Sequence, residues 1–388
     1  MAAIVGVGRS RVFRHDDVPL GVLAAEACRE AIEASGLSVS DIDGLCCVPD
    51  QPFAGVGQLD GINLVGNRFI ASALEIQPNW AFDCSGLLGH SLVSAVAAVE
   101  AGLCQTALVF RGMHSPSGNY GHTSPRDVGG QDQFVAPYGA FYPAMFAQLW
   151  QRYRGLHGTG TREQMARFVT ESRRNALKNP RTYWASHNPK QLSIDEYLRA
   201  RLVSEPLSIF DCDLPIQVAG AFVVTSDDRA RHLDSPAYIR GMAWNQPGQF
   251  VGSMVPTLEQ GRAVGSHLAA RFWKSARLSL SDVGVVELYD GFSIFAPLWA
   301  ETLGFCDEGE GFEFLEQVAM SGPAPLVANT SGGSLGGGRL HGMAQYSEAA
   351  LQVMGKAGAR QVEGADAAVG VVGTMQTGVI FAFKREPA

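Results

Sequence analysis

One short stretch occurs twice in this chain, first as ASGLSVSDI at residues 34–42 and again as SARLSLSDV at residues 275–283. The second copy starts 241 residues after the first. Each copy follows a segment with the apolar spacing of a helix and precedes a short apolar run that is typical of a strand. The same helix-to-strand connection therefore occurs in both halves of the sequence, which predicts a duplicated α/β unit.

A second pair of stretches supports the duplication. DCSG at residues 83–86 and NTSG at residues 329–332 lie 246 residues apart, and each follows an apolar run and opens a Gly-containing turn into a predicted helix. Equivalent strand-to-helix connections in two copies of a unit can meet about a pseudo-twofold axis. We therefore expect the active site where these two turns converge.

The composition is typical of a globular protein. Of the 388 residues, 46% are hydrophobic and 18% are charged, and the formal net charge is −8. Because the lysines and arginines are scattered, the sequence offers no basic surface for nucleic acid. The apolar runs fall far short of the roughly 20 residues that cross a bilayer, and the first residues resemble a strand rather than a signal peptide. We expect a cytoplasmic protein with no nucleic-acid or membrane partner.

Cysteine usage argues for free thiols. The chain has seven cysteines, with no Cys-x-x-Cys pair and no paired histidine spacing. This odd number and this spacing favour neither a disulfide framework nor a zinc site. We therefore expect any functional cysteine to act as a thiol, and we expect no metal in this chain.

Helical and strand-like segments alternate along much of the sequence, which favours an α/β fold with a covered and mostly parallel sheet. The clearest helices and strands, in chain order, are Leu20–Ser35, Leu87–Ala101, Thr106–Phe110 and Ala367–Val372.

The alternation breaks between residues 113 and 210, where Gly, Pro, His, Tyr and Trp interrupt polar helices. We interpret this segment as an inserted lid. The predicted organisation is an N-terminal half at residues 1–112 and 211–239, the insert at 113–210, and a C-terminal half at 240–388. Aromatic residues of the insert are typical of an apolar substrate pocket and equally of a lid core; they include Tyr120, Phe141 and Tyr142.

Cys84 is the first candidate nucleophile. It lies in the turn before the Leu87–Ala101 helix, so its sulfur could face the positive end of the helix dipole, which favours a thiolate. The alternative is a small core cysteine, because free Cys is among the most buried residue types. The place of Cys84 in the duplicated turn favours the nucleophile. The cysteines in or beside apolar segments are predicted to be core residues: Cys46, Cys47, Cys104 and Cys212.

The strongest local signal is the Gly-rich segment Asn329–Gly342. It predicts a tight turn with a close backbone approach, and such a loop can direct backbone N–H groups at an anion. No Gly-Lys-Ser/Thr and no dinucleotide fingerprint is found, so a nucleotide cofactor is disfavoured. At the far end of the loop, Arg339 and His341 could polarise a carbonyl or protonate a carbanion, although a single histidine beside a loop is often structural.

Tyr289 follows the predicted strand of the second copy and should reach the point where Cys84 and the Gly-rich segment meet. A tyrosine hydroxyl there can donate to an oxyanion or transfer a proton. The alternative is an ordinary aromatic residue at a strand end with a satisfied hydroxyl. The sequence lacks a Gly-x-Ser-x-Gly elbow, so a hydrolase has little support.

In their order along the chain, these segments resemble the thiolase superfamily, and specifically its thiolase-like members related to sterol carrier protein X. The resemblance covers nearly the whole sequence and rests on Ile4–Gly8, Leu37–Gly44, Cys84–Gly86, Gly220–Val224, Glu287–Phe292 and Asn329–Gly342. It implies the thiolase fold, a duplicated five-layered α/β/α/β/α unit, with an inserted loop domain that covers acyl-CoA. It also implies a homodimeric core.

The resemblance implies that Cys84 becomes acylated, with Ser85 as the rival alignment because the family's Cys-x-Ser-Gly is shortened to Cys84-Ser85-Gly86. Where the family has His or Asn before Asp/Glu-Ala-Phe, this chain has Tyr289. The histidine of the family's Gly-His-Pro motif corresponds to Arg339 in this chain. An ordinary acetyl-CoA acetyltransferase is therefore not expected.

The family's second cysteine falls near Val372 and Gly373, so the usual base for condensation is missing. This favours carbon–carbon cleavage, with His341 taking over proton transfer. Relatives with similar departures shorten steroid side chains or act in anaerobic toluene breakdown, together with a small partner that carries an OB fold and a zinc ribbon. This chain has no such module, so a separate partner subunit is expected.

The predicted function is acyltransferase cleavage of a bulky or aromatic β-oxoacyl-CoA by coenzyme A, for example of 2-(α-oxobenzyl)succinyl-CoA to benzoyl-CoA and succinyl-CoA. Cys84 would attack the ketone, while Tyr289 and His341 stabilise the oxyanion and protonate the departing carbanion. Support would come from Asn329, Gly332, Gly333 and, more weakly, Arg339. The alternatives are a retro-aldolase acting on a β-hydroxyacyl-CoA such as a steroid side chain, with Tyr289 as base, and a non-catalytic acyl-CoA-binding subunit.

Overall fold

The computed structural model describes residues 2–14, 17–49, 59–113, 142–245 and 257–387. The strands are β1 (Ala2–Arg9), β2 (Gly44–Cys47), β3 (Trp80–Asp83), β4 (Thr106–Met113), β5 (Leu202–Ser204), β6 (Leu207–Ser208), β7 (Val218–Ser226), β8 (Ala237–Trp244), β9 (Val285–Glu287), β10 (Val327–Ala328), β11 (Ala367–Val372) and β12 (Val379–Lys384).

The helices are α1 (Leu20–Ser35), α2 (Asn67–Leu74), α3 (Leu88–Glu100), α4 (Tyr142–His157), α5 (Arg162–Ala176), α6 (Tyr183–His187), α7 (Ile194–Leu198), α8 (Asp227–Ala230), α9 (Leu258–Ala276), α10 (Phe295–Leu303), α11 (Gly311–Gln317), α12 (Gly333–Gly337) and α13 (Met343–Met354). None of these described helices has the length and apolar character needed to cross a membrane.

Ten strands form one sheet with the order β3-β2-β4-β7-β1-β8-β12-β11-β9-β10. Strand directions repeat on the two sides of the β1–β8 pair. In the first half β2 is parallel to β3 and β4, while β7 is antiparallel to β4 and β1. In the second half β9 is parallel to β10 and β11, while β12 is antiparallel to β11 and β8. This symmetry confirms the duplication predicted from the repeated stretches.

The sheet is mixed, so the prediction of a mostly parallel sheet is wrong. Strands β4 and β7 run antiparallel because the insert returns the chain to the end of the sheet that it left, where Met113 pairs with Val218. In the second half a short turn makes the equivalent connection, from β11 to β12, and Val372 pairs with Val379. The direction of a strand depends on where its connection returns, and the alternation of helices and strands does not reveal this.

The repeated sequence adopts the same turn in both halves. The backbone N–H groups of Ser38 and Ser279 donate to Asp41 and Asp282 at 2.8 and 2.7 Å, and each serine hydroxyl lies 2.6 Å from the same carboxylate oxygen. The two serines have φ, ψ angles of −102°, 165° and −98°, 164°. Because the hydrogen bonds and angles repeat, the turn directs β2 and β9 into the sheet in the same way.

Helices and strands form the five layers of the predicted fold. Helix α1 packs against β1, β4 and β7 on one outer face, and α9 and α10 pack over strands of the second half on the other. Helices α3 and α13 share the apolar cluster between the halves. Gly89 permits close contact there, because a Cβ at this position would lie 2.5 Å from the Tyr346 hydroxyl. The inner helices therefore pack against each other as well as against the sheet.

The described part of the insert covers the second half of the molecule. Helix α5 packs against α11 and α12, and α4 packs against α9. The limits 1–112 with 211–239, 113–210 and 240–388 stay a prediction. Residue 240 lies within β8, the strand that corresponds to β1 in the sheet order.

Substitutions at Gly6 and Gly241 test whether the outer helices approach both halves equally closely. An added Cβ would lie 2.0 Å from the Ala31 carbonyl oxygen of α1 or 2.4 Å from the Ala276 Cα of α9. We expect G6A and G241A each to lower the free energy of unfolding by about 1–3 kcal/mol, because backbone atoms would have to move.

The matched control is G155A, at an exposed site in α4 with no heavy atom within 4 Å of the added Cβ. It should raise the free energy of unfolding by up to about 1 kcal/mol, as Ala does in a helix. Urea denaturation measures all three variants. Equal stability of G6A and wild type would contradict the close approach of α1.

Candidate active site

Residues of both halves and of the insert surround a cavity of about 160 Å³, which we call the aromatic cavity. Among the described residues it is lined by Leu87, Tyr142, Phe146, Tyr289, Phe292, Phe295, Arg339, His341, Gly373, Thr374 and Thr377. Four of the predicted site residues, Tyr142, Tyr289, Arg339 and His341, therefore lie around one space. Its walls are mostly apolar, with a few polar groups, as is typical of small-molecule sites.

Tyr289 is placed by a clamp between the ends of β9 and β10. The side-chain oxygen of Asn329 accepts from the Leu288 N–H at 2.9 Å, and its amide nitrogen donates to the Leu288 carbonyl at 2.8 Å. The Asn329 backbone has φ 47°, a left-handed conformation that Asn tolerates better than most residues. Both polar atoms of Asn329 are thus used to hold the residue beside Tyr289, and this side chain acts as support rather than as a donor to substrate.

The Tyr289 ring lies over Gly291, where a Cβ would lie 2.2 Å from the tyrosine hydroxyl. Among the described residues this hydroxyl has no hydrogen-bond partner. Burial, with a smaller contribution from the charge of Asp213, raises the pKa of Tyr289 well above its ordinary value. The residue is therefore a neutral phenol that can offer a proton to a group in the cavity.

His341 is held as a neutral imidazole. The Nε of Arg339 donates to the Nε2 of His341 at 2.9 Å, and an arginine cannot accept, so the histidine proton lies on Nδ1. Burial, followed by the positive charges of Arg339 and Arg111, lowers the pKa of His341 well below its ordinary value. Its Nδ1 is buried and has no partner among the described residues. His341 can therefore donate a hydrogen bond to an oxyanion without being protonated.

Arg111 connects this cluster to the turn that contains Cys84. The residue lies in β4 and is only 1% exposed, and its Nη1 donates to the Gly86 carbonyl at 2.7 Å. Burial lowers the pKa of His90, and the charge of Arg111 lowers the pKa values of His90 and His341 further. Sequence reasoning missed Arg111, although an arginine inside the apolar run Thr106–Met113 is a signal that could have found it.

Cys84 lies directly after β3 and is half-buried. Its N–H donates to the Cys47 carbonyl at 2.8 Å, and its Sγ lies 3.4 Å from the Ser85 carbonyl oxygen. Among the described residues that line the aromatic cavity, the turn is represented by Leu87 and not by Cys84 or Ser85. The nucleophile and its register stay a prediction.

The other cysteines differ from Cys84 in their surroundings. Cys46, Cys47 and Cys104 are buried, as predicted for core residues, and burial raises the pKa of each thiol well above its ordinary value. Cys212 is half-buried and packs against the core of the second half, and burial raises its thiol pKa as well. These four thiols are therefore unsuited to act as thiolates.

Two glycine N–H groups of the Gly-rich segment have partners within the segment. The Gly332 N–H donates to the Asn329 carbonyl at 3.0 Å, and the Gly333 N–H donates to the Ser331 hydroxyl at 2.8 Å. A Cβ at Gly332 would lie 2.3 Å from the Ser172 carbonyl oxygen of α5, and one at Gly333 would lie 2.0 Å from Asp290. The two glycines support the loop by allowing close packing. Their N–H groups have other partners, so the prediction that they are directed at an anion is wrong.

Behind Tyr289, Glu287 belongs to a buried polar network. Its carboxyl group accepts from the Ser331 hydroxyl at 2.5 Å. The Thr330 Oγ1 lies 2.9 Å from Glu287 and 3.0 Å from Glu348, and Arg360 pairs with Glu348 at 2.9 Å. A hydroxyl has one proton to donate, so a proton on one of the two carboxyl groups would satisfy both contacts. Burial, and then the charge of Glu348, raises the pKa of Glu287 to about 8, which makes Glu287 the protonated group.

The insert contributes one of its three predicted pocket residues to the described site. Tyr142 lines the aromatic cavity, while Tyr120 and Phe141 lie outside the described residues. The cavity also contains three aromatic residues that sequence reasoning did not select as site residues, Phe146, Phe292 and Phe295. Within the described residues, no group of three His, Cys, Asp or Glu side chains could hold a metal ion.

Comparisons with known proteins show the family of this chain. Residues 257–385 match the family model described as thiolase C-terminal domain-like. The chain is 30% identical over 374 residues to the 17-hydroxy-3-oxo-4-pregnene-20-carboxyl-CoA lyase of Mycobacterium tuberculosis, covering 91% of this chain and 92% of the relative. It is 27% identical over 376 residues to the benzoylsuccinyl-CoA thiolase subunit BbsB of Thauera aromatica, covering 93% and 91%.

Among solved structures, the Ltp2-ChsH2(DUF35) aldolase has a TM-score of 0.84 and 25% identity, covering 99% of this chain and 97% of that chain. The chain belongs to the thiolase superfamily, among its thiolase-like members. It is an enzyme of that family with acyltransferase or lyase activity on a CoA substrate. The predicted family and fold class are thereby confirmed.

The buried Glu287 predicts a specific dependence of stability on pH. Its folded pKa of about 8 lies above the ordinary value of 4.5, so the folded state keeps a proton that the unfolded state loses. The resulting stabilisation is complete below about pH 4.5 and is lost as the pH rises to about 8. Between these pH values the free energy of unfolding of wild type should fall by up to about 1.4 kcal/mol per pH unit more than that of E287Q, which has no such proton.

Urea denaturation of both proteins between pH 5 and 8.5 measures this difference in slope. The control is E363Q, which changes an exposed glutamate and should keep the wild-type slope. Parallel pH profiles for wild type and E287Q would show that Glu287 is ionised throughout.

Proposed function

We propose that this enzyme cleaves a carbon–carbon bond of a bulky acyl-CoA and that the aromatic cavity holds the reacting carbons. The observation that carries the proposal is the convergence of the Tyr289 hydroxyl and the neutral His341 on one largely apolar cavity. Both groups are hydrogen-bond donors beside two buried guanidinium groups, those of Arg339 and Arg111.

Donors of this kind suit the enolate that is left when the bond between Cα and Cβ of an acyl-CoA breaks. The thioester oxygen then takes on negative charge, and buried donors and cations stabilise such charge strongly. The Cα atom must next gain a proton. The raised pKa of Tyr289 keeps its phenol protonated and ready to supply that proton.

In the thiolytic reaction, the Cys84 thiolate would attack the β-ketone of the substrate. Collapse of the alkoxide breaks the Cα–Cβ bond and releases the enolate, which Tyr289 protonates, and an acyl group remains on sulfur. Coenzyme A then takes this acyl group, which restores the Cys84 thiolate, and the thiol proton of coenzyme A returns to Tyr289. A covalent route of this kind divides one difficult step into two easier ones.

The second candidate is retro-aldol cleavage of a β-hydroxyacyl-CoA, which needs no acylated thiol. It is favoured by one observation: among the described residues that line the aromatic cavity, neither Cys84 nor Ser85 is present. In this reaction the neutral Tyr289 phenol would give its own proton to Cα and take the proton of the β-hydroxyl group in exchange. The products are a carbonyl compound and an acyl-CoA, and no coenzyme A is consumed.

The cavity walls favour a bulky acyl group. Phe146, Phe292 and Phe295 lie close together, with the rings of Phe146 and Phe292 centred 4.5 Å apart. Such walls suit aromatic or alicyclic substrates better than an acetyl group. The predicted β-oxoacyl-CoA with an aromatic substituent and the steroid alternative both meet this requirement.

The variant C84A separates the two reactions, and Y289F tests the role of the phenol in both. With a β-oxoacyl-CoA and free coenzyme A, C84A should abolish thiolysis, whereas a retro-aldolase would keep its rate with a β-hydroxyacyl-CoA and need no coenzyme A. Y289F should lower kcat by about 10²-fold or more in either case, because the proton donor is lost. C306A, at a half-buried cysteine outside the described lining of the cavity, is the control and should keep full activity.

Product formation by liquid chromatography measures these rates. Full thiolytic turnover by C84A would rule out Cys84 as the nucleophile. Wild-type kcat in Y289F with both substrates would contradict the proposed role of the phenol. Acyl-CoA binding without turnover, alone and with a partner subunit, would support the non-catalytic alternative.

A homodimeric core is part of the same proposal. The two edges of the sheet differ: β10 is buried, whereas Phe82 of β3 is 46% exposed and its neighbours Ala81 and Asp83 are exposed as well. An exposed edge strand with an aromatic side chain can pair with another strand. A second copy of this chain could provide that strand through twofold pairing.

The variant F82E tests the homodimer by placing a charge on this edge. It should convert a dimer into a monomer, which light scattering coupled to size-exclusion chromatography measures. The control is I194E, which introduces the same charge at a 51% exposed isoleucine of the insert and should leave the dimer intact. A dimeric F82E would show that β3 does not form the interface.

A small partner subunit with an OB fold and a zinc ribbon completes the proposal. The support is the likeness to the Ltp2-ChsH2(DUF35) aldolase, whose name includes a second component. Such a partner would be a separate chain.

A further inference from the structure

A second cavity, of about 130 Å³, is lined by residues of the Gly-rich segment other than those that line the aromatic cavity. The end of β1, helices α1 and α13, the loop after α5 and the Gly-rich segment all contribute to its lining. Three arginines line it, Arg9, Arg181 and Arg360, together with two glutamates, Glu30 and Glu348. We call this space the arginine cavity.

Two of the three arginines have carboxylate partners. Arg360 forms ion pairs with both oxygens of Glu348, at 2.9 to 3.0 Å, and Arg181 pairs with Glu30. Each glutamate is thus neutralised by one arginine. The charge of the third arginine, Arg9, is left over.

Arg9 has polar contacts but no ion pair among the described residues. Its Nη2 donates to the Gly337 carbonyl at 3.4 Å, and its Nε is buried with no acceptor. Burial, followed by the charges of Arg181 and Arg360, lowers the pKa of Arg9 to about 10. The three guanidinium groups are therefore close enough to repel one another, and an anion between them would relieve this repulsion.

One more donor in the lining lacks a partner. The Ser347 hydroxyl, in the first turns of α13, is buried and has no hydrogen-bond partner among the described residues. A buried polar group without a partner costs free energy, and such groups in native structures call for an explanation such as a bound ion. The cavity therefore combines one excess positive charge with two unused donors, those of Arg9 and Ser347.

We propose that the arginine cavity is a binding site for a phosphate group. Guanidinium groups match the geometry of phosphate oxygens, and charge-assisted hydrogen bonds of this kind are stronger than neutral ones. The phosphate group can come from free phosphate or from coenzyme A, and the shared chemistry is a tetrahedral oxyanion. This site is distinct from the aromatic cavity and does not depend on the proposed reaction.

Occupancy of this site would act on the active-site loop. Ser331 and Gly337 line the arginine cavity, while Arg339 and His341 of the same Gly-rich segment line the aromatic cavity. An anion that holds Ser331 and Gly337 in place therefore restricts the movement of Arg339 and His341. Phosphate bound behind the loop should hold Arg339 and His341 in one arrangement.

The test is isothermal titration calorimetry of the full chain with sodium phosphate in chloride buffer of constant ionic strength. Wild type should bind one phosphate, and R9Q should bind it at least about tenfold more weakly, since a hydrogen bond to a charged group is lost. S347A should weaken binding in the same direction and covers the case in which R9Q does not fold. R199Q, at an exposed arginine of the insert, is the charge-matched control and should bind as wild type does.

A second arm identifies the source of the phosphate group. Coenzyme A and dephospho-coenzyme A are titrated into wild type, R9Q and S347A. If R9Q or S347A binds coenzyme A more weakly than wild type does but binds dephospho-coenzyme A equally well, the site binds the 3′-phosphate of coenzyme A. If the variants lose binding of inorganic phosphate but keep the wild-type affinities for coenzyme A and dephospho-coenzyme A, the site binds free phosphate.

The proposal is overturned if wild type shows no phosphate binding and both variants bind the two coenzymes as wild type does. It is also overturned if R9Q and S347A are folded, as judged by circular dichroism, and bind every ligand with wild-type affinity. Neither result bears on carbon–carbon cleavage, because the readout is binding and uses no substrate turnover.

Discussion

The clamp between Asn329 and the backbone of Leu288 is the interaction on which the active site depends. Two hydrogen bonds, at 2.8 and 2.9 Å, join the end of β9 to the turn after β10. Tyr289 follows Leu288 directly, and the Gly-rich segment with Arg339 and His341 starts at Asn329. One amide side chain thus sets the distance between the phenol and the loop that faces it across the cavity.

The two halves share a framework and differ in what they place at equivalent positions. The turns at Ser38 and Ser279 are nearly superposable in their backbone angles, so both halves direct a strand to the centre of the molecule in the same way. At the offset of these turns, the buried thiol of Cys46 corresponds to the buried carboxyl group of Glu287. The second half therefore supplies the polar network and the proposed proton donor, Tyr289, while the first supplies Arg111 and the turn with Cys84.

Much of this architecture could be predicted from the sequence, because the signals were local. The repeated ASGLSVSDI and SARLSLSDV stretches predicted the two halves, and the bounds of α1 agree with its apolar spacing. Long-range geometry was less accessible. The direction of β7 depends on where a long insert returns, and the N–H groups of Gly332 and Gly333 are used by partners that spacing does not reveal. Arg111 acts across the two halves, so no window of sequence shows its neighbours.

The join between the halves has a consequence for folding. Strands β1 and β8 pair only through Ala3 with Tyr238 and Ile4 with Ala237, so few backbone hydrogen bonds join these two strands. Further contact comes from α3 and α13, which share one apolar cluster and approach each other closely at Gly89 and Tyr346. Unfolding of one half alone would expose the buried helix of the other half, α3 or α13, to water. The polypeptide should therefore unfold in a single cooperative transition, although it consists of two duplicated halves.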